Sequence, residues 1–151
     1  MPLIARDLFR STAFLRWQEA TEIGINRGLG IPYPHASGQT WVMTFLSARD
    51  TPIARRFEIW VPNEAGDALV FQAGDCDQST QLAADYQSAK VGKGEGTVGQ
   101  VWLTGTPAVR ASIAGDTSSA GRSAAAAGLT AMVAVPFMRD QGLKAVVVWY
   151  F

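Results

Sequence analysis

Over residues 7–26 the apolar positions Phe9, Ala13, Trp17, Ala20 and Gly24 recur at three- and four-residue steps, with Arg10, Arg16, Glu19, Glu22 and Arg27 interspersed. This spacing predicts an amphipathic N-terminal helix. Gly28, Gly30 and Pro32 predict its end, and residues 33–38, which include His35, read as a loop. Strands are predicted over residues 40–47 (TWVMTFLS), 56–61 (RFEIWV) and 68–73 (ALVFQA), which are rich in β-branched and aromatic side chains. The short polar breaks at 50–52 and 62–67 suit tight turns, so these strands are expected to form an antiparallel meander.

Residues 79–89 place Leu82, Ala83, Tyr86 and Ala89 on one helical face, with Asp77 or Ser79 positioned to cap the start. After a glycine-rich loop, Thr97 is positioned to cap a second short helix through Val98, Val101, Trp102 and Leu103, and Gly105 to stop it. A short strand is expected at 107–111. Ser, Ala and Gly dominate residues 112–128, which predicts a mobile loop or a marginal Ala-rich helix. The chain closes with two strongly apolar runs, 129–137 (LTAMVAVPF) and 143–151 (LKAVVVWYF), joined by a turn at 139–142. They are expected to pair near the middle of the sheet.

Composition narrows the function. A chain of 151 residues, 48% hydrophobic, suffices for one compact domain, here taken as residues 1–151 with the sheet and pocket cover in 40–151. Thirteen basic and thirteen acidic residues cancel and no Lys/Arg run concentrates charge, so no nucleic-acid partner is expected. Cys76 is the only cysteine, which precludes a disulfide within the chain and fits a reducing compartment. No Cys/His set has metal-ligand spacing. Charged Arg6 and Asp7 interrupt the N-terminus before any signal-like or membrane-spanning stretch, so a cytoplasmic location without membrane contact is expected.

The segment 93–109 (KGEGTVGQVWLTGTPAV) resembles the GAF domain family, in which a Gly-Glu-Gly turn opens a short helix and Thr-Gly-x-Pro-Val leads into a strand. Here Thr104-Gly105-Thr106-Pro107-Ala108 ends in alanine instead. Residues 128–136 (GLTAMVAVP) and 142–146 resemble the last two strands of the family, and the resemblance extends over roughly 57–151. It implies an α+β fold: an antiparallel five- or six-stranded sheet with the N-terminal helix on one face and helices and loops covering a ligand pocket on the other. It further implies a role in signalling, through ligand binding or dimerisation.

Several motifs are weighed against that background. Gly94, Gly96 and Gly99 spell G-x-G-x-x-G, but a helical segment rather than a parallel strand is expected to precede them, which favours a tight turn over dinucleotide binding. Gly92-Lys93 is followed by Gly94 rather than Ser or Thr, so no Walker-type loop exists. His35, far in sequence from Cys76 and from any orienting acid, reads as a solvated loop residue. Some GAF proteins use cysteine to attach a bilin or to reduce methionine sulfoxide. The reductases work with more than one cysteine, and Asp75 and Asp77 put the wrong charge beside a Cys76 thiolate.

Five tryptophans are many for packing alone. The expected pocket lies between the sheet and the cover formed by 79–104 and 112–128. Trp60, Phe71, Trp102 and Met132 are its expected apolar walls, with Arg110 and Arg122 offering charge at the mouth. The expected function is a non-catalytic sensory or regulatory module that binds an unidentified small molecule, with no cofactor named. The alternative is a dimerisation or partner-docking module that uses the N-terminal helix, and a third reading is a small redox enzyme using Cys76.

Overall fold

The computed structural model describes residues 3–5, 7–8, 16–34, 36–48, 50–77 and 81–151, and the chain divides into two compact units, Met1–Ile53 and Ala54–Phe151. In the first unit β1 (Leu3–Ala5), β2 (Arg27–Pro34) and β3 (Thr40–Ser47) form an antiparallel sheet in that order, with α1 (Trp17–Glu22) between β1 and β2 in sequence. The helix expected over 7–26 is thus a six-residue helix, and residues 9–15 of that expectation lie outside the described residues. The presumed helix stop is a strand.

The strand follows from a period of two that the glycines and prolines conceal. Along β2 the buried Arg27, Leu29 and Ile31 alternate with Gly28, Gly30 and Pro32. β1 reaches only Gly28–Gly30 of its neighbour, so Pro32 and Pro34 stand beyond it, where their missing N–H costs no ladder bond to that strand. β3 pairs with β2, not with the next strand, which corrects the expected meander. His35 lies outside the described residues.

The second unit contains β4 (Arg56–Pro62), β5 (Ala68–Cys76), α2 (Leu82–Asp85), β6 (Lys90–Gly92), α3 (Gly96–Thr104), β7 (Ala108–Arg110), α4 (Ser119–Ala126), β8 (Met132–Arg139) and β9 (Gly142–Tyr150). Its six strands run in the order β6-β5-β4-β9-β8-β7, every pair antiparallel. β9 lies between β4 and β8 and is buried without interruption from Ala145 to Tyr150, as an apolar run with both faces covered requires. The two C-terminal runs are paired neighbours, as expected, with β9 at the sheet centre and β8 one strand further out, beside the edge strand β7.

Leu82, Val98, Val101, Ala120 and Ala124 from the three helices join Trp60, Leu69, Met132, Val146, Val148 and Tyr150 from the strands in one core. α2 is only four residues long, without a side-chain cap, and Ser79 lies outside the described residues. The Ala-rich segment does form a helix, α4. Ser118 Oγ caps it by accepting from the Gly121 N–H at 3.1 Å, and its buried Ala120, Gly121 and Ala124 let it lie close to its neighbours.

Candidate functional site

Residues in register on neighbouring strands share a sheet face. One row runs Cys76, Arg56, Tyr150, Met132, Arg110 across β5, β4, β9, β8 and β7. The next runs Gly74, Glu58, Val148, Ala134, Ala108. Most of these side chains belong to the core that the helices cover. Two charges stand within it.

Arg56 and Glu58 are 2% and 0% exposed, and a guanidinium and carboxylate so placed must be satisfied internally. Glu58 Oε1 accepts from the Tyr86 hydroxyl at 2.8 Å and from Arg56 Nη1 at 3.4 Å, while Oε2 accepts from Trp60 Nε1 at 2.7 Å. Arg56 Nη1 also donates to Ser123 Oγ at 3.0 Å and to the Tyr86 oxygen at 3.4 Å, and its Nε donates to Cys76 Sγ at 3.4 Å. α4 therefore supplies Ser123, and the turn after α2 supplies Tyr86.

Complete burial pushes the Glu58 carboxyl above its ordinary range, against the opposing pull of hydrogen bonds from Trp60 and Tyr86 and of the Arg56 charge. Burial likewise raises Tyr86, with the Glu58 charge adding to it. Tyr150 is raised well above an ordinary phenol by burial and then by Glu58, Tyr86 and Asp116. Its hydroxyl is buried with no hydrogen-bond partner among the described residues. In a core this well connected, such an atom is an exception.

The residues expected at a pocket fall in three places. Trp60 and Met132 are fully buried, and Phe71 is half-buried against the core. Trp60, Phe71 and Tyr86 pack mutually with ring centroids 5.0–5.8 Å apart, so the first two are core aromatics touching the polar cluster. Trp102 on α3 is half-buried beneath Lys93, whose Nζ lies 5.7 Å from its ring centroid. Arg110 and Arg122 are exposed, and Arg122 donates to the Thr117 carbonyl.

Of these six, Arg110 alone lines the two open depressions near α3. One, of about 380 Å³, is bounded by Gly96, Thr97, Gln100, Arg110, Ile113 and Asp116 among others, and the second, of about 390 Å³, shares Gln100 and Arg110 with it. Asp116 forms part of the first wall and also caps α3. Its Oδ2 accepts from the Thr97 N–H at 2.9 Å and its Oδ1 from Ser118 Oγ at 2.6 Å. Thr97, expected to be the cap, is thus the capped residue.

The glycine loop serves a local closure. The Gly94 N–H donates to the Gly99 carbonyl at 2.8 Å, and a Cβ on Gly99 would stand 2.2 Å from the Gly92 carbonyl oxygen. A three-residue antiparallel strand, β6, precedes the loop rather than the expected helical segment, so the parallel strand of a dinucleotide site is still not there. Sequence reasoning missed Arg56, Glu58, Tyr86, Ser123 and Tyr150. The available signal was Arg56, Glu58 and Trp60 at alternate positions of one strand, which puts two opposite charges on the face of a tryptophan.

The fold is GAF-like, an α+β arrangement around a six-stranded antiparallel sheet. A mutated NreA protein of Staphylococcus aureus, altered in its nitrate binding site, superposes with a TM-score of 0.53 and 18% identity, over 68% of this chain and 75% of that one. The nlh2 GAF domain of A. aeolicus aligns with a TM-score of 0.49 and 22% identity, over 65% of this chain and 57% of its own. A free methionine-R-sulfoxide reductase from Neisseria meningitidis, in complex with its substrate, aligns with a TM-score of 0.49 and 17% identity, over 64% and 52%. At these identities the likeness concerns the fold. No family model and no curated protein matches the sequence. No helix among the described residues is long and apolar enough to cross a membrane.

Proposed function

We propose that this chain is a non-catalytic sensory or regulatory module that works in the cytoplasm and binds a small molecule on the helix-covered face of its GAF-like sheet. The observation that carries this reading is the buried Arg56–Glu58–Tyr86 cluster, next to a Tyr150 hydroxyl with no partner. A core selected for stability alone gains little from such groups, because desolvating an ion pair offsets most of its Coulomb energy. NreA, which resembles this chain in fold, has a nitrate binding site, so a small ligand is compatible with a fold of this kind. Loop 111–118 is mostly exposed and built of small residues, anchored by the buried Ile113 and Ser118, so its exposed positions between those anchors are the least held part of the cover.

Thermal unfolding of the intact chain across a panel of neutral, cationic and anionic metabolites tests the reading. A ligand at a hundred times its Kd stabilises by about 2.7 kcal/mol, which is readily detected. A panel that leaves the transition unmoved throughout overturns it.

A further inference from the structure

Among the described residues the two sheets end in four edge strands, and three of them, β1, β6 and β7, are three residues long. The fourth, β3, runs for eight residues. A long edge offers its row of backbone N–H and C=O groups to any other strand, and proteins ordinarily blunt it with lysine, proline or a bulge. β3 has none of these. Its sequence TWVMTFLS is uncharged and free of proline, and its pairing with β2 keeps one register from Arg27↔Ser47 to Pro34↔Thr40. The same strand exposes large apolar side chains, with Trp41, Val42 and Met43 at 64%, 58% and 56%. The cause is the reach of β1, which stops at Gly30 of β2, so that 31–34 and 40–43 form a ribbon of two strands. Such a ribbon is marginal in water. The buried apolar side chains described in Met1–Ile53 are Leu8, Ala20, Leu29 and Ile31, a small core for a unit of that length.

From the contrast between this edge and the other three we infer that β3 is an interface between two copies of this chain, paired antiparallel across a two-fold axis at Met43. An axis normal to the sheet sets like faces together. Centred on Met43, it lays Trp41 against the partner's Phe45 and Met43 against the partner's Met43, an apolar row of rings and thioethers on one face. Residues 28–47 contain no Lys, Arg, Asp or Glu, so two identical edges meet without repulsion. The same lack of cations removes the attraction that would hold the ribbon to an anionic lipid surface. Pairing over roughly seven residues spans about 24 Å of strand. With its side chains it encloses on the order of 1,000 Å² in total, the low end of specific interfaces, so a reversible dimer is expected. Growth stops at two copies because the far edge of each joined sheet is the three-residue β1. α1, the helix expected to dimerise the chain, is six residues long and exposes Glu19 and Glu22. The interface does not depend on the ligand-binding reading above.

The experiment follows sedimentation of the intact chain from the micromolar to the near-millimolar range, in wild type and in Met43→Lys. Met43 is exposed, so the lysine should leave the dilute protein unfolding at the wild-type temperature, while in the dimer it sets two like charges opposite each other. The expected result is a concentration-dependent dimer that Met43→Lys weakens by about tenfold or more. The register is read by oxidation. Met43→Cys on the axis should form a disulfide-linked dimer, whereas Glu64→Cys, exposed in the turn after β4, should not, and the buried Cys76 does not compete.

Wild type that stays monomeric throughout overturns the inference, as does a dimer equally strong in Met43→Lys. Equal cross-linking at the two cysteine positions overturns it too. Assemblies that keep growing past two copies overturn the two-fold pairing. A monomer that floats with neutral phosphatidylcholine vesicles assigns the exposed strand to a lipid surface and overturns it as well.

Discussion

Glu58 is an acid placed where its charge is least favoured, and it persists because three donors converge on it. Deleting one member of such a buried pair strands the other, at a cost of about 3–5 kcal/mol. Glu58→Ala should lose stability on that order in urea unfolding at neutral pH. The pH dependence has a definite sign. Because burial raises the folded-state carboxyl above its ordinary value of 4.5, the folded chain holds this proton more tightly than the unfolded chain. The contribution of this group to stability is greatest below that ordinary value and is lost as pH rises through the raised one. Glu58→Gln, which cannot titrate, should therefore show a deficit against wild type that narrows as pH rises. A deficit that widens would contradict the assignment. At Gly99, helix propensity alone favours alanine by about 1 kcal/mol. Here the added Cβ meets the Gly92 backbone oxygen at 2.2 Å, so Gly99→Ala should instead destabilise by about 1–3 kcal/mol.

At the scale of elements, α3 starts on a carboxylate borrowed from nineteen residues further along the chain. Partial burial works against the Asp116 charge, but hydrogen bonds from Ser118 and Thr97 outweigh it and hold this carboxyl below its ordinary value of 3.8. The sign is opposite to that of Glu58. The Asp116 contribution is fully present above that ordinary value and is lost as pH falls through the depressed one. Asp116→Ala removes the acceptor for two backbone N–H groups and should cost about 1–2 kcal/mol at neutral pH, with the cost shrinking in acid. The other end of α3 is locally determined. Gly105, with φ +65°, takes the left-handed conformation and returns its N–H to Val101. The C-terminus of this helix was therefore legible in the sequence, whereas its N-terminal cap was not.

For the whole molecule, the strand order sets a gradient of protection. β4 and β9 are each hydrogen-bonded on both sides at the centre of the sheet, whereas β6 and β7 are three-residue edges. Amide hydrogen exchange should be slowest in 146–150 and 57–60, faster in β6 and β7, and fastest across 111–118. Uniform protection across the six strands would contradict this order. The same topology carries Ser123, Tyr86 and Arg56, distant in sequence, to one point. No local periodicity reports that convergence, since the two longest separations close only when α4 and the turn after α2 settle on the sheet.

The sequence by itself determined the elements whose patterns are local and unambiguous: the two paired C-terminal strands, α3 with its glycine stop, and the α+β, GAF-like class. It misread residues 27–34, because glycine and proline signal a break equally well whether they end a helix or occupy alternate positions of a strand. It also could not say which face of a strand would be covered. Trp60 and Met132, picked as pocket walls, are buried core, and Arg122 faces solvent. Arg56 and Glu58 alternate like any exposed ion pair on a strand. Only the tertiary structure decided that they are enclosed, because enclosure depends on what packs over them, and a charge becomes a site when its surroundings rather than its neighbours in sequence remove the water.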